Sequence, residues 1–405
     1  MSGFKIALPG LLALLYLNAI PPDRIIPDDP YFKYQFSFHN PGGRLSFPTR
    51  SYRPSQKEFD AAPGIDPDLI HAWAITTGSQ NIVVALLDDG FFYQNDDIHE
   101  NIWTNPGESG FDENGLSKVT NGIDDDRNGK IDDVVGWDFV FDDPDPDPYI
   151  FDGKDASRIQ PYWHSISALG IIGAKGNNGI GIAGINWEVS MMLLKIGAQG
   201  IPDGMIDAAR IGRAAEAIRY AADNGARIIN WSGFVQDVRP SRLAVLEEAI
   251  DYAAKKNVLL VVGAGNDGLN IDLAPNSTFP ACFDLDNIIT VAEIDFKGDL
   301  YRYPVGDRVL GSNFGLKTVD IAAIGDNYSC GLKDNRSVYW LSGGTSNSAP
   351  VVTGIAALIL SVRPALSAGQ LKEILMQTAA RLPSLEGKIG SGGMVNAFRA
   401  LKSVL

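Results

Sequence analysis

Three short clusters in this sequence hold side chains that can do chemistry together. The apolar run Ile82–Leu87 ends in Asp88-Asp89-Gly90; His164 opens the segment HSISALGIIGA; and Gly344-Thr345-Ser346-Asn347-Ser348-Ala349-Pro350 opens an apolar helical stretch. A serine hydroxyl becomes a nucleophile when a base takes its proton. The base in turn needs a carboxylate that fixes its tautomer and balances the imidazolium. The chain supplies one of each, in the order Asp88, His164, Ser346. A fourth cluster, Gly263-Ala264-Gly265-Asn266-Asp267-Gly268, follows the apolar run Val258–Val262. Gly263 and Gly265 let backbone approach a ligand closely, and Asn266 offers an amide N–H to an oxyanion. Singly, each residue has a plainer role as a turn residue, a scattered histidine or a helix cap. All four in this arrangement are poorly explained that way.

Elements must position these groups. Continuous apolar runs at 82–87, 191–196, 227–231, 258–262 and 287–292 read as buried parallel strands. Helical patterns lie between and after them, at 66–76, 164–174, 207–223, 241–256, 346–362, 367–379 and 395–405, with Ser241 expected as the N-cap of the fourth. Strands alternating with helices predict an α/β fold: three layers, α/β/α, around a mostly parallel central sheet. Sites in such sheets lie at the carboxyl ends of strands, where Asp88 and Asn266 fall.

The 405 residues read as one large domain of ordinary globular composition, 45% hydrophobic and 20% charged. The net charge of −15 repels polyanions, which argues against nucleic acid and acidic membrane surfaces as partners and suits a protein that binds Ca²⁺. Cys282 and Cys330 are too few for a zinc ribbon, and whether they pair stays open. Lys5 ahead of the apolar run Ile6–Leu17 predicts a secretory signal peptide over 1–19, hence a secreted protein; a buried or disordered N-terminal segment is the alternative. Residues 20–64, rich in Pro, Asp and aromatics, are expected to run as an irregular extended N-terminal segment. Residues 65–405 form the main domain, with an acidic insertion of loops at about 104–155.

With these motifs in place, the chain resembles the subtilisin-like serine proteases, the subtilases, over roughly residues 28–405. The Gly-Thr-Ser-x-x-Ala-Pro run at 344–350 is the most specific of the matching features. The resemblance implies a monomeric endopeptidase acting on protein or peptide substrates. Asp88 is the orienting carboxylate, His164 the general base and acid, Ser346 the nucleophile and Asn266 the oxyanion donor. Ser232, Gly233, Gly263 and Gly265 fall at substrate-binding positions. Asp28-Asp29-Pro30-Tyr31-Phe32 resembles the start of a mature subtilase domain, so no prodomain is expected ahead of it.

The resemblance also implies a calcium loop at 176–182. Asn178 would supply its side chain, Gly176, Ile180 and Ile182 their carbonyls, and Asp97 and Asp29 carboxylates. A second candidate is read from the residues themselves. Asp124, Asp126, Asn128 and Asp132, with a glycine turn at Gly129, follow EF-hand loop spacing without the terminal bidentate Glu.

Two departures from the family pattern stand out. Ser165 and Ile166 follow the base where the family has Gly-Thr, so a shifted imidazole or a narrowed cleft is expected. The family's Ser-x-Gly strand appears as Ser232-Gly233-Phe234, with Phe234 expected in the first specificity pocket. Two other functions therefore remain open: a catalytically impaired subtilase-fold binding protein, and a peptide acyl-transferase or cyclase, since one acyl-enzyme serves hydrolysis and transfer alike.

Overall fold

The computed structural model of the protein describes residues 23–51, 53–148, 164–197, 203–235, 239–334 and 336–405; the segment 1–19 lies outside them. Its centre is a nine-stranded sheet. In spatial order the strands are Ala380–Arg381, Gly393–Met394, Ile321–Ile324, Ile288–Ile294, Leu259–Gly263, Ile228–Trp231, Gly78–Asp88, Glu188–Lys195 and Gly136–Asp138. All neighbours run parallel except the first pair. Ile228–Trp231, Leu259–Gly263 and Ile288–Ile294 are buried along their whole length, as their apolar runs require. Helices complete a three-layer α/β/α fold. Pro240–Lys255 packs on Asp203–Asp223, and His164–Gly173 packs on Thr345–Val362.

The helix Thr345–Val362 is long and apolar enough to cross a membrane, but 83% of it is buried inside the protein. It is the core helix, in contact with five of the central strands. The carboxyl ends of Gly78–Asp88 and Leu259–Gly263, and the amino ends of His164–Gly173 and Thr345–Val362, place all four chemical clusters at one edge of the sheet.

Several elements differ from the sequence reading. The irregular path expected within 20–64 contains a β-hairpin, Gly43–Arg50 with Arg53–Ala61. It joins Arg336–Ser342 and Asn327–Lys333 in a four-stranded antiparallel sheet. Leu45 and Phe47 alternate inward on the first strand, a period-2 signal that prolines obscure. The acidic region contributes one short strand, Gly136–Asp138, which edges the central sheet. The helix expected over 66–76 shortens to Leu69–Ala72. Ser241 is not a cap: Pro240 takes the first helical turn and Arg239 precedes it, because proline has no N–H to leave unpaired there. Cys282 and Cys330 are both free thiols, the latter buried.

Candidate active site

Asp88 is the last residue of its strand and 4% exposed. Gly90, at φ +112°, lets the chain turn away at once. His164 opens its helix, and its Nδ1 lies 2.9 Å from Asp88 Oδ1 and 2.8 Å from Oδ2. Burial on its own would push the imidazolium toward losing its proton. The Asp88 charge and hydrogen bonding, helped by Asp89, outweigh burial, and the His164 pKa is raised above the ordinary histidine value. The segment after the base does not disturb this pair. The Ser165 hydroxyl donates to the Gly90 carbonyl, tying the helix start to the turn after Asp88, and Ile166 is fully buried in the core. Ser165 thus lies inside the fold and not at a substrate edge.

Ser346 sits in the first turn of Thr345–Val362. Its hydroxyl donates to the Ser232 carbonyl at 3.1 Å, and the Ser232 hydroxyl donates back to the Ser346 carbonyl at 2.8 Å. Pro350 explains the second bond. It stands four residues after Ser346 inside the helix and has no N–H to offer that carbonyl. Behind Ser232, Asn230 Nδ2 donates to its oxygen at 3.1 Å, and Thr353 donates to Asn230 Oδ1 at 2.9 Å. The helix starts that carry base and nucleophile are pinned together. Ser167, one turn past His164, donates to Asn347 Oδ1 at 3.2 Å, next to Ser346.

Asn266 accepts the Thr345 N–H on Oδ1 at 3.0 Å, which fixes the amide plane beside the nucleophile turn. The glycines before it make room for protein groups. A Cβ on Gly263 would come within 2.9 Å of Thr345 Oγ1, and one on Gly265 within 2.5 Å of Asn313 Nδ2. Asn313 escaped the sequence reading. Fully buried, it donates to the Ala264 carbonyl at 2.9 Å and accepts Asp267 and Leu269 N–H at 3.1 and 2.9 Å, so it clamps the Asn266 loop. Asn230 escaped too, although a polar residue inside the apolar run 227–231 was a visible signal. Ser232 follows its strand beside Ser346, with Gly233 next in the chain, and Phe234 is 37% exposed.

Comparison with known proteins gives the family. The model of the subtilase family matches residues 79–395. This chain belongs to the subtilase family. Among curated relatives, this subtilase is 30% identical to subtilisin-like protease 1 of Plasmodium berghei over 346 residues, 82% of this chain and 51% of that protein. It is 27% identical to a thermophilic serine proteinase of Bacillus sp. (strain AK1), over 82% of this chain and 64% of that one. It is 29% identical to the halolysin-like extracellular serine protease Nep of Natrialba magadii, over 79% and 48%. The chain thus spans about half the length of the first of these relatives. Its fold is shared with a protease of Pseudoalteromonas arctica (TM-score 0.64, 22% identity, covering 94% of this chain and 99% of that one). It is also shared with fervidolysin of Fervidobacterium pennivorans (TM-score 0.57, 23% identity, covering 82% and 44%).

Two regions of the subtilase have the donors for a cation. Asp97 is 1% exposed; Asn178 Nδ2 donates to its Oδ1 at 3.2 Å and Ile182 N–H to its Oδ2 at 2.8 Å. Burial pushes the Asp97 carboxyl up to about 7 despite these bonds. Asp29 accepts Asn177 and Asn178 N–H at 2.8 and 3.2 Å, so both carboxylates of the expected set meet the 176–182 loop. Ile180 is an exposed residue of that loop. In the acidic insertion the group brought together is Glu108, Asp124 and Asp126, with carboxylate oxygens within 4.8 Å of one another. Glu108 Oε2 is buried and has no hydrogen-bond partner, so the donor set fits a cation. Asp132 stands outside this group, and Asn128 lies against it, its Nδ2 donating to Asp126 Oδ2 at 3.1 Å. Asn128 Oδ1 accepts Lys130 N–H at 2.8 Å, and Asp132 accepts Gly122 N–H at 3.1 Å.

Proposed function

We propose that the protein is a secreted, calcium-stabilised serine endopeptidase working through Asp88, His164 and Ser346. The observation that carries this reading is the bidentate approach of Asp88 to His164 Nδ1, at 2.8 and 2.9 Å; it is supported by the Ser167–Asn347 bond, which ties the helix that starts at His164 to the one that carries Ser346. The carboxylate keeps the proton on Nδ1, leaving Nε2 as the base. On substrate binding, the Ser346 hydroxyl gives up the Ser232 carbonyl, turns to Nε2 and attacks the peptide carbonyl carbon as Nε2 takes its proton. The negative charge that develops on the carbonyl oxygen is met by Asn266 Nδ2, whose plane Thr345 fixes, and by the Ser346 N–H at the positive end of the helix. The imidazolium then protonates the leaving amine, and water hydrolyses the acyl-enzyme by the same steps in reverse.

Calcium held by Asp97, Asp29 and the 176–182 loop, and by Glu108, Asp124 and Asp126, would neutralise buried carboxylates and lock both loops. Export rests on the apolar run 6–17 and on the extracellular relative. Residues 65–405 serve as the catalytic unit, acting as a monomer on protein or peptide substrates.

The test is labelling by a serine-directed fluorophosphonate, read alongside peptide hydrolysis. The wild-type protein is expected to label and to hydrolyse. Ser346→Ala is expected to abolish labelling and to lower kcat by roughly a millionfold, the magnitude found in subtilisin itself. A folded wild-type protein that never labels would instead support a binding role. Labelling with amine transfer but no hydrolysis would support an acyl-transferase.

A further inference from the structure

Behind the nucleophile turn lies a pair of buried carboxyl groups that the catalytic steps above do not use. Glu293, on the strand Ile288–Ile294, is 1% exposed, and its Oε1 accepts the Gly344 N–H at 2.9 Å. Gly344 stands two residues before Ser346, at φ +109°. Asp326, 4% exposed, follows the strand Ile321–Ile324. A Cβ on Gly343 would fall 2.9 Å from Asp326 Oδ1 and 3.6 Å from Glu293 Oε1, so both carboxyl groups close on one residue of the turn. Asp326 Oδ2 is buried with no hydrogen-bond partner. The other charged or titratable groups facing the pair are Lys57, Asp295 and Tyr301. Lys57 reaches in from the N-terminal hairpin, with Nζ 3.6 Å from Asp326 Oδ1. Asp295 adds negative charge, and Tyr301 is held neutral, its pKa raised by burial and by both carboxyl groups.

We propose that Glu293 is a positioning residue for the nucleophile: it anchors the turn through Gly344 and shares one proton with Asp326, and loss of that proton lowers kcat. The inference rests on the protease reading above. Two buried carboxyl groups facing one lysine reach neutrality only with one proton between them. Burial, and for Glu293 also the neighbouring Asp326, holds both above the usual carboxylate range, Glu293 at about 8 and Asp326 at about 6. Below that range the pair carries at most one charge, which Lys57 balances. Above it, two negative charges face one lysine, and one is left unmatched beneath Gly343. The charge on Glu293 then stands behind the turn whose N–H groups must receive the oxyanion, and opposes its formation. An alkaline fall in kcat follows, separate from the acid limb set by His164.

The test compares kcat and KM against pH for the wild type, Glu293→Gln and Glu293→Ala. Glu293→Gln keeps an oxygen for Gly344 N–H and removes the shared proton. Its kcat is expected to stay within about threefold of wild type at neutral pH and to remain level where the wild type falls. Glu293→Ala removes the anchor and is expected to lower kcat by about tenfold or more, with KM little changed. An alkaline limb that persists in Glu293→Gln, or wild-type kcat in Glu293→Ala, overturns the proposal.

A second measurement needs no turnover. In a Ser346→Ala background, the native state holds a proton that the unfolded chain releases near pH ~4.3. Stability should therefore fall as pH rises from there to about 8, and Glu293→Gln should flatten that slope. Parallel melting profiles for the two proteins overturn the shared proton. This result holds whether or not the wild type proves to be a protease, so failure of the two readings can be told apart.

Discussion

Ser232 and Ser346 hydrogen-bond to each other in both directions, each hydroxyl donating to the other's backbone carbonyl, at 2.8 and 3.1 Å. The nucleophile is thereby held in a resting orientation, and the carbonyl that Pro350 leaves without a helical donor is satisfied. Ser232→Ala should strand that carbonyl in a site only 7% exposed at residue 232, at a cost of about 1–3 kcal/mol. Pro350→Ala restores an N–H four residues on. If the account is right, the double variant recovers stability that Ser232→Ala loses. A double-mutant cycle on urea or thermal melting measures this coupling, and strict additivity would refute it.

In the proposed mechanism Asn266 has two jobs on one amide: Oδ1 holds Thr345 N–H, and Nδ2 would serve the oxyanion. Asn266→Leu removes both and should lower kcat by about 10²–10³, a figure that comes from subtilisin. Asn266→Asp keeps the acceptor and loses the donor. It should lower kcat as severely while leaving the melting temperature closer to wild type, because the Thr345 anchor survives. Steady-state kinetics with matched melting curves separate the two jobs.

The acid limb of kcat/KM should lie above the ordinary histidine value of ~6.5, because His164 works only when neutral and its pKa is raised. In Asp88→Asn the charge that raises it is gone while burial remains, so any residual activity should titrate lower. The same pair has a stability signature. A histidine whose pKa is raised on folding contributes fully below its unfolded value, and the contribution fades as pH rises through the folded one. Proton titration of the imidazole by NMR, in Ser346→Ala, checks the midpoint directly.

Calcium removal should lower the melting temperature. A ligand that binds only the native state stabilises it by about 2.7 kcal/mol at a hundred times Kd. Asp97→Ala and Glu108→Gln should each blunt the response to chelator, since each removes a buried carboxylate from a different loop. Glu108→Gln should be the milder change in metal-free protein, because it relieves a buried oxygen that lacks a partner. Identical melting with calcium and with chelator would remove both sites.

The chemistry was legible wherever a motif is local. Asp88 closes an apolar run, Ser346 opens a helix and Asn266 follows a strand, so a window of about ten residues around each contains the signal. Asn313 and Glu293 are different. Each is one polar residue whose partner lies 49 or 51 positions away, at Ala264 and Gly344, and only the closed sheet brings them together. The same reason hid Glu108, which meets Asp124 and Asp126 only after the insertion folds back. The strand Ile321–Ile324 is four residues long, too short for periodicity to declare it, although it lies inside the central sheet. The N-terminal hairpin was missed because its inward-facing residues are spaced by prolines and charges.

The helix Thr345–Val362 carries the nucleophile at its first turn and also fills the middle of the core. Without it, five central strands would expose an apolar face to water, so the sheet cannot reach its native packing before this helix docks. If the proposed protease mechanism holds, folding and the capacity to cut are therefore completed by a single event. A partly folded copy, the form most easily digested, lacks an assembled nucleophile, and every copy able to cut already has its own backbone protected. On the protease reading, two partly folded molecules meeting one another therefore do no damage, and only a neighbour whose core has already closed could cut.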